Sequence, residues 1–157
     1  MIDQKAINIL ITEGLKEITG CEVVKANLAC APIPGYPYIS FTILNTDTKK
    51  GTYSGGPAGK YIPARQTWSL TIQGSDDDET FRIGLLSKDW FEESGRRLLN
   101  DHGVVVESVG AITNRDTLLT VSYEYRKGFD VVLSLINAIQ ARETEVIDQV
   151  DFDFEKE

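Results

Sequence analysis

The chain is poor in the residues that most often do chemistry. Its 157 residues include one histidine, His102, one methionine, and two cysteines, Cys21 and Cys30. A zinc site needs several thiolate or imidazole ligands at close spacing, and this set does not supply them. No Gly-x-Ser-x-Gly elbow is present to place a nucleophile near His102. That histidine, between Asp101 and Gly103, reads as an exposed cap where a ring meets the negative end of a helix dipole. Cys21 and Cys30 read as buried or idle thiols, with a disulfide between them as the alternative. No apolar run approaches the ~20 residues of a membrane span, and the N-terminus lacks a basic region followed by an apolar core. The expectation is a protein made and kept in a cytoplasm, with no membrane partner. Bases are also short: 16 against 24 acids, a net charge of −8. A broad nucleic-acid-binding surface needs clustered Lys and Arg, so that class is disfavoured. An acidic surface suits solubility, or lets DNA pass without adhering.

What is present is ordinary globular material, 41% hydrophobic and 25% charged. It is enough for one domain over residues 1–142, followed by an acidic tail over 143–157. Residues 3–18 have helical periodicity, with Ile7, Leu10, Ile11, Gly14 and Ile18 near one face and Gly20 as the stop. Cys21–Ala26 reads as a short strand. Three prolines between Pro32 and Pro37 then make a stiff connector into a strand over Tyr38–Leu44. Residues 45–64 hold Gly51, Gly55, Gly56 and Gly59 and are too long for a hairpin turn; they predict a β-arm or a mobile loop. A strand from Arg65 to Gln73 follows, alternating through Trp68, Leu70 and Ile72. Ser75 and the acids Asp76–Glu79 announce a helix, with the Ser75 hydroxyl as cap. Phe81, Ile83, Leu85, Leu86, Trp90 and Phe91 give that helix a wide apolar face for covering a sheet. Gly95 breaks or bends it, and Gly103 ends it.

The most ordered pattern lies between Gly103 and Leu135. Val104, Val106, Leu119, Val121, Tyr123, Phe129, Val131, Leu133 and Leu135 recur with a period of two, with Glu124, Arg126 and Asp130 mostly on the opposite face. Lys127-Gly128 predicts a tight turn closing two runs into a hairpin. Val150, Phe152 and Phe154 alternate in the acidic tail and read as a final strand, one suited to addition onto a neighbour. The sum is an α+β domain with helices packed on one face of a mostly antiparallel sheet, plus a long β-arm or loop.

Motifs that imitate chemistry have simpler explanations. Ser54-Gly55-Gly56-Pro57-Ala58-Gly59-Lys60 approaches a phosphate loop, but Ser54 stands where the first glycine belongs and Tyr61 where the magnesium-binding hydroxyl belongs. Asp76–Glu79 reads as helix capping, the tail acids as solvated, and Arg96 and Arg97 as surface charges. No cofactor or metal site is assigned, and no enzyme emerges.

A set of short motifs does resemble a known family. It comprises Pro37-Tyr38-Ile39-Ser40, Gln66–Thr71, Asp89-Trp90-Phe91, Gly95-Arg96-Arg97-Leu98-Leu99 and Gly103–Val106 with Val109-Gly110. It continues with Asn114-Arg115-Asp116 and ends with Tyr123–Asp130. In this order, over roughly residues 37–135, the set resembles the neck and tail terminator proteins of tailed bacteriophages. The resemblance implies a structural subunit with no catalytic residues. It implies a homo-oligomeric ring, usually sixfold, that caps the tail tube and meets the head–tail connector, with DNA only passing through the lumen. It implies a place in the virion, reached by assembly in the host cytoplasm. Rings need heterologous contacts, and a protruding arm and an added strand are natural means of making them. The candidate interface residues are therefore Lys49, Lys50, Tyr53, Lys60, Tyr61 and Arg65 of the arm, Arg96 and Arg97, and Phe152 and Phe154 of the tail. The arm is basic and the tail acidic, so opposite charges can steer association. The rival reading is a monomeric small-molecule-binding domain or small enzyme with the glycine-rich loop as a lid beside Tyr53, Tyr61 and Trp68.

Overall fold

A computed structural model describes residues 1–27, 32–52 and 54–141. The chain runs α1 (Gln4–Thr19), β1 (Glu22–Lys25), β2 (Tyr38–Lys49), β3 (Ser54–Gly56), β4 (Gly59–Gly74), α2 (Asp77–Glu92) and α3 (Ser94–Asp101). It continues through β5 (Val105–Val109), β6 (Thr113–Asn114), β7 (Thr117–Leu118) and β8 (Tyr123–Gln140). The strand order is β1-β2-β4-β8-β5, with β3 on β4 and both β6 and β7 on β8. Among the described residues only β1 and β2 pair in parallel; the other pairs are antiparallel. The expected α+β class is the observed one.

The helices begin and end where their capping chemistry lies. The Asp3 carboxylate accepts from the Ala6 N–H, and Gly20, at φ 70°, closes α1 by donating to Lys16 O. Ile7, Ile11, Gly14 and Leu15 are buried. Ile18 falls on the same stripe but is exposed, being in the last turn. At α2 the cap is Asp76 and not Ser75: its carboxylate accepts the Glu79 N–H at 2.8 Å. A carboxylate is the better acceptor, since it also complements the positive end of the dipole. The helix stops at Glu93, and α3 starts at once, so the break falls just before Gly95.

Two faces of the sheet differ sharply. Cross-strand partners share a face, and the helix-side rows read Phe41–Leu70–Phe129, Trp68–Val131 and Gln66–Leu133–Val106. These residues are buried. The opposite rows read Ser40–Thr71–Gly128–Thr113 and Thr42–Ser69–Asp130, which are polar. Gln66, fully buried, receives the Trp68 Nε1–H and donates to Gln4 Oε1, tying α1 to the sheet.

The helical layer is keyed by one indole. A Cβ on Gly14 of α1 would lie 2.2 Å from Trp90 Cζ2, and one on Gly95 of α3 would lie 2.3 Å from Trp90 Cδ2. Both glycines are seats for the ring, which packs edge-on against Phe91. Phe91 in turn meets Phe129 of β8 edge-on, with ring centroids 6.2 Å apart. Trp90 thus packs between helices, and Phe91 joins them to the sheet. Phe81 and Leu85, expected to cover the sheet, are 47% and 41% exposed, because one helical row on from Thr80 and Gly84 already leaves the core.

The expected turn at Lys127-Gly128 is absent. Both residues lie inside β8, which pairs along the whole of β4 from Gly59↔Gln140 to Gly74↔Tyr125 without a register shift. The chain reverses instead at residues 119–122, where the Leu119 N–H donates to Ser122 O. Leu119, Val121 and Tyr123, expected on the apolar face, therefore sit at or beside an exposed turn, with Val121 97% exposed.

Replacing Gly14 with Ala is expected to destabilise the fold by ~1–3 kcal/mol, the usual cost of overpacking. A lowered urea midpoint with an unchanged slope would show it; an unchanged midpoint would contradict the keyed arrangement.

Candidate functional site at the two ends of the long strand pair

At the end of the sheet nearest the start of α2, two motifs distant in sequence come together. Asn114-Arg115-Asp116 lies against Arg126-Lys127-Gly128 of β8. The Arg115 guanidinium crosses Gly128 and donates to Ser69 Oγ and Thr71 Oγ1, each at 3.0 Å, and to Asp130 at 3.2 Å. A Cβ on Gly128 would stand 2.5 Å from Arg115 Nη1. Glycine there gives the Arg115 guanidinium its close approach and does not serve a positive φ.

On the helix side of the same strand, Lys127 is buried to 7% exposure beneath α2. Its ammonium meets Asp77 at 2.7 Å and Asp116 at 3.2 Å. Asp116 also accepts the Arg126 N–H at 2.7 Å, and its own N–H donates to Asn114 Oδ1. Burial alone would raise the Asp116 pKa. The Arg126 N–H, the Lys127 ammonium and Asn114 outweigh it, and hold this carboxyl below its ordinary value. Burial pulls Lys127 down, but its two aspartates carry it above its ordinary value. Beside this knot, Glu124 is buried to 4% exposure, pairs with Arg126, and accepts the Tyr36 hydroxyl at 2.7 Å. That bond, then burial, raises the Tyr36 pKa.

At the other end, β2, β4 and β8 outrun the core. Beyond Ala64 and Leu135 the residues are largely exposed, including Tyr61, Ile136 and Ile139. The expected β-arm or loop over residues 45–64 takes the strand form where described: β2 reaches Lys49, the Lys50 N–H donates to Pro63 O, and β3 returns to β4 across Pro57-Ala58. The imitation phosphate loop is thus a hairpin tip on strands, not a helix start. Lys50 and Arg65 converge on one acid of β5, Glu107, at 3.2 Å for Lys50 Nζ and 2.9 Å for Arg65 Nε. Arg65 first, then Lys50, hold the Glu107 carboxyl below its ordinary value against slight burial.

The other candidates stand apart. Lys49, Lys60 and Tyr61 are exposed on the arm. Arg96 and Arg97 lie on α3 beside a shallow hollow reaching Asn100, Val105 and Val106, and Arg97 pairs with Glu93 at 3.2 Å. Tyr53, Phe152 and Phe154 lie outside the described residues, as do Cys30 and the expected tail strand. Cys21 is a buried free thiol, and burial raises its pKa. His102 caps α3, with Nδ1 2.8 Å from Leu98 O. The arm and the knot gather the polar chemistry at opposite ends of β8. The knot escapes sequence reading because its parts are spaced over residues 69–130.

The chain is thus an α+β domain with a buried polar knot at one end of its sheet and outrunning strands at the other. The motifs of that knot are also those of the resemblance drawn from the sequence. The family model described as phage neck terminator protein matches residues 10–157, nearly the whole chain, and the chain belongs to that family. It is a structural protein of the phage neck. No curated protein matches it.

Asp116→Asn removes the charge that pairs with buried Lys127, and is expected to cost ~2 kcal/mol at neutral pH. A depressed carboxylate pKa contributes stability above its unfolded value and loses it as pH falls through the folded one. The gap between wild type and variant in urea titrations should therefore narrow as pH falls below the ordinary carboxylate range. A gap that persists there would locate the effect elsewhere.

Proposed function

We propose that this protein closes the tail tube by assembling on it as a ring of copies of itself, six being the expected number, and that the outer side of the ring receives the head–tail connector. Membership of the neck terminator family carries the reading. The physical support is the arrangement of the subunit: a rigid body whose sheet leaves strands projecting at one end and the exposed turn at 119–122 at the other. A ring needs two different complementary surfaces on each copy, and this subunit offers distinct chemistry at its two ends. The arm residues Lys49, Lys50, Tyr53, Lys60, Tyr61 and Arg65 make contacts between copies or with the tube. Arg96 and Arg97, and Phe152 and Phe154, are the further contact candidates. DNA passes through the lumen past a protein of net charge −8, to which it does not adhere. Assembly takes place in the host cytoplasm, and the product is a virion component without catalytic work of its own.

Electron microscopy of the protein mixed with assembled tail tubes tests the reading. The expected image is a single ring at one end of each tube, sixfold in end-on averages, with tubes of fixed length. Tubes that stay bare at both ends at saturating protein would overturn it.

A further inference from the structure

Two strand edges of the arm stand unpaired among the described residues, on opposite sides of β4. One belongs to β8. Its partner β5 reaches only to Ser134, so Leu135–Gln140 pairs with β4 alone. The other belongs to β2, where β1 reaches only to Phe41 and the edge beyond Thr42 is bare.

The two edges are not alike. Natural sheets blunt free edges with charges, prolines and bulges. The β2 edge carries two register shifts, at Ile43/Asn45 and Asn45/Thr48, together with Asp47 and Lys49. The β8 edge has none of these. It is uncharged and free of proline, it pairs in unbroken register with β4, and it exposes Ile136 to 62% and Ile139 to 46%. Its outward carbonyl at Ala138 is already an acceptor, for the Met1 amine. In a chain that is 25% charged, an apolar edge with no charge, proline or bulge among its own residues, met at Ala138 by the Met1 ammonium, is suited to receive a strand.

We infer that the β8 edge at Leu135–Gln140 takes the outer β2 edge of a second copy, so that the sheet of one subunit continues into the next. This inference rests on the ring reading above and names its contact. Both β2 and β8 are antiparallel to β4, so they run in the same direction. Copies related by rotation about an axis along the strands bring β8 beside the next β2 in parallel, with the stagger that strand tilt imposes. The contact is heterologous, one edge against a different edge, so it excludes a two-fold pair and builds a ring where the rotation between copies closes. The apolar side chain on the receiving β2 edge is Leu44, 55% exposed. The bulges of β2 keep that edge from pairing with itself, while the bare β8 edge supplies the regular template.

Cysteine pairing tests it. Protein carrying Ala138→Cys is mixed with protein carrying Asn45→Cys, Asp47→Cys or Lys49→Cys, with Cys30→Ser throughout, and the mixture is oxidised in the presence of tail tubes. A disulfide-linked dimer from one β2 position, in high yield and absent from the other positions, is expected. Ala138→Pro should fold with wild-type circular dichroism, because its N–H faces away from β4, yet leave tubes without rings. Rings that form normally with Ala138→Pro, and no cross-link at any position, overturn the edge contact while leaving the ring reading intact. Wild-type protein that leaves tubes bare overturns the ring reading and this inference with it.

Discussion

The whole molecule depends on the unbroken pairing of β4 with β8. These are its two longest strands, and they keep one register from the arm to the start of α2. The pairing aligns the helix-side rows that form the core, and it also aligns the hydroxyl-bearing rows on the other face. A slip by one residue would exchange the two faces. The knot at Gly128 works against such a slip, since Arg115 reaches Ser69 and Thr71 on β4 while resting on Gly128 of β8. Arg115 is a register pin made from a third segment.

That dependence explains what the sequence disclosed and what it withheld. Helix ends are local: Gly20 and the acids around Asp76 act on backbone groups within one turn and were legible, although the α2 cap was placed on Ser75, one residue early, and the Asp3 cap was not read. The alternation of Phe129, Val131, Leu133 and Leu135 was legible for the same reason. Gly128 was misread because a glycine serves two physical purposes, and only the neighbour across the strand tells which. Its neighbour is Arg115, thirteen positions earlier and folded back over it. Val121 extended the alternation into the turn, and Tyr123 extended it to the half-exposed first residue of β8.

The candidate assembly residues show the same division. Counting Lys49, Lys50, Lys60 and Arg65 gives the arm a basic character, but Glu107 lies forty-two positions from Arg65 and takes both Arg65 and Lys50. The arm's field is therefore partly met from within the subunit. The motifs of the family resemblance fared better than composition. Asn114-Arg115-Asp116 and Tyr123–Asp130 were separate strings in the sequence, and the fold joins them into one polar structure. Their shared role is to lock the sheet.

The geometry of β4 and β8 also determines how the subunit answers a load. Inter-strand hydrogen bonds lie across the strands. Tension applied to the arm along its own length thus strains the entire ladder at once, in shear, and no bond can yield before the rest. A force that peels the arm sideways meets the bonds one by one. The protein is stiff along the strand axis and compliant across it, a direction-dependent toughness written into one stretch of antiparallel backbone.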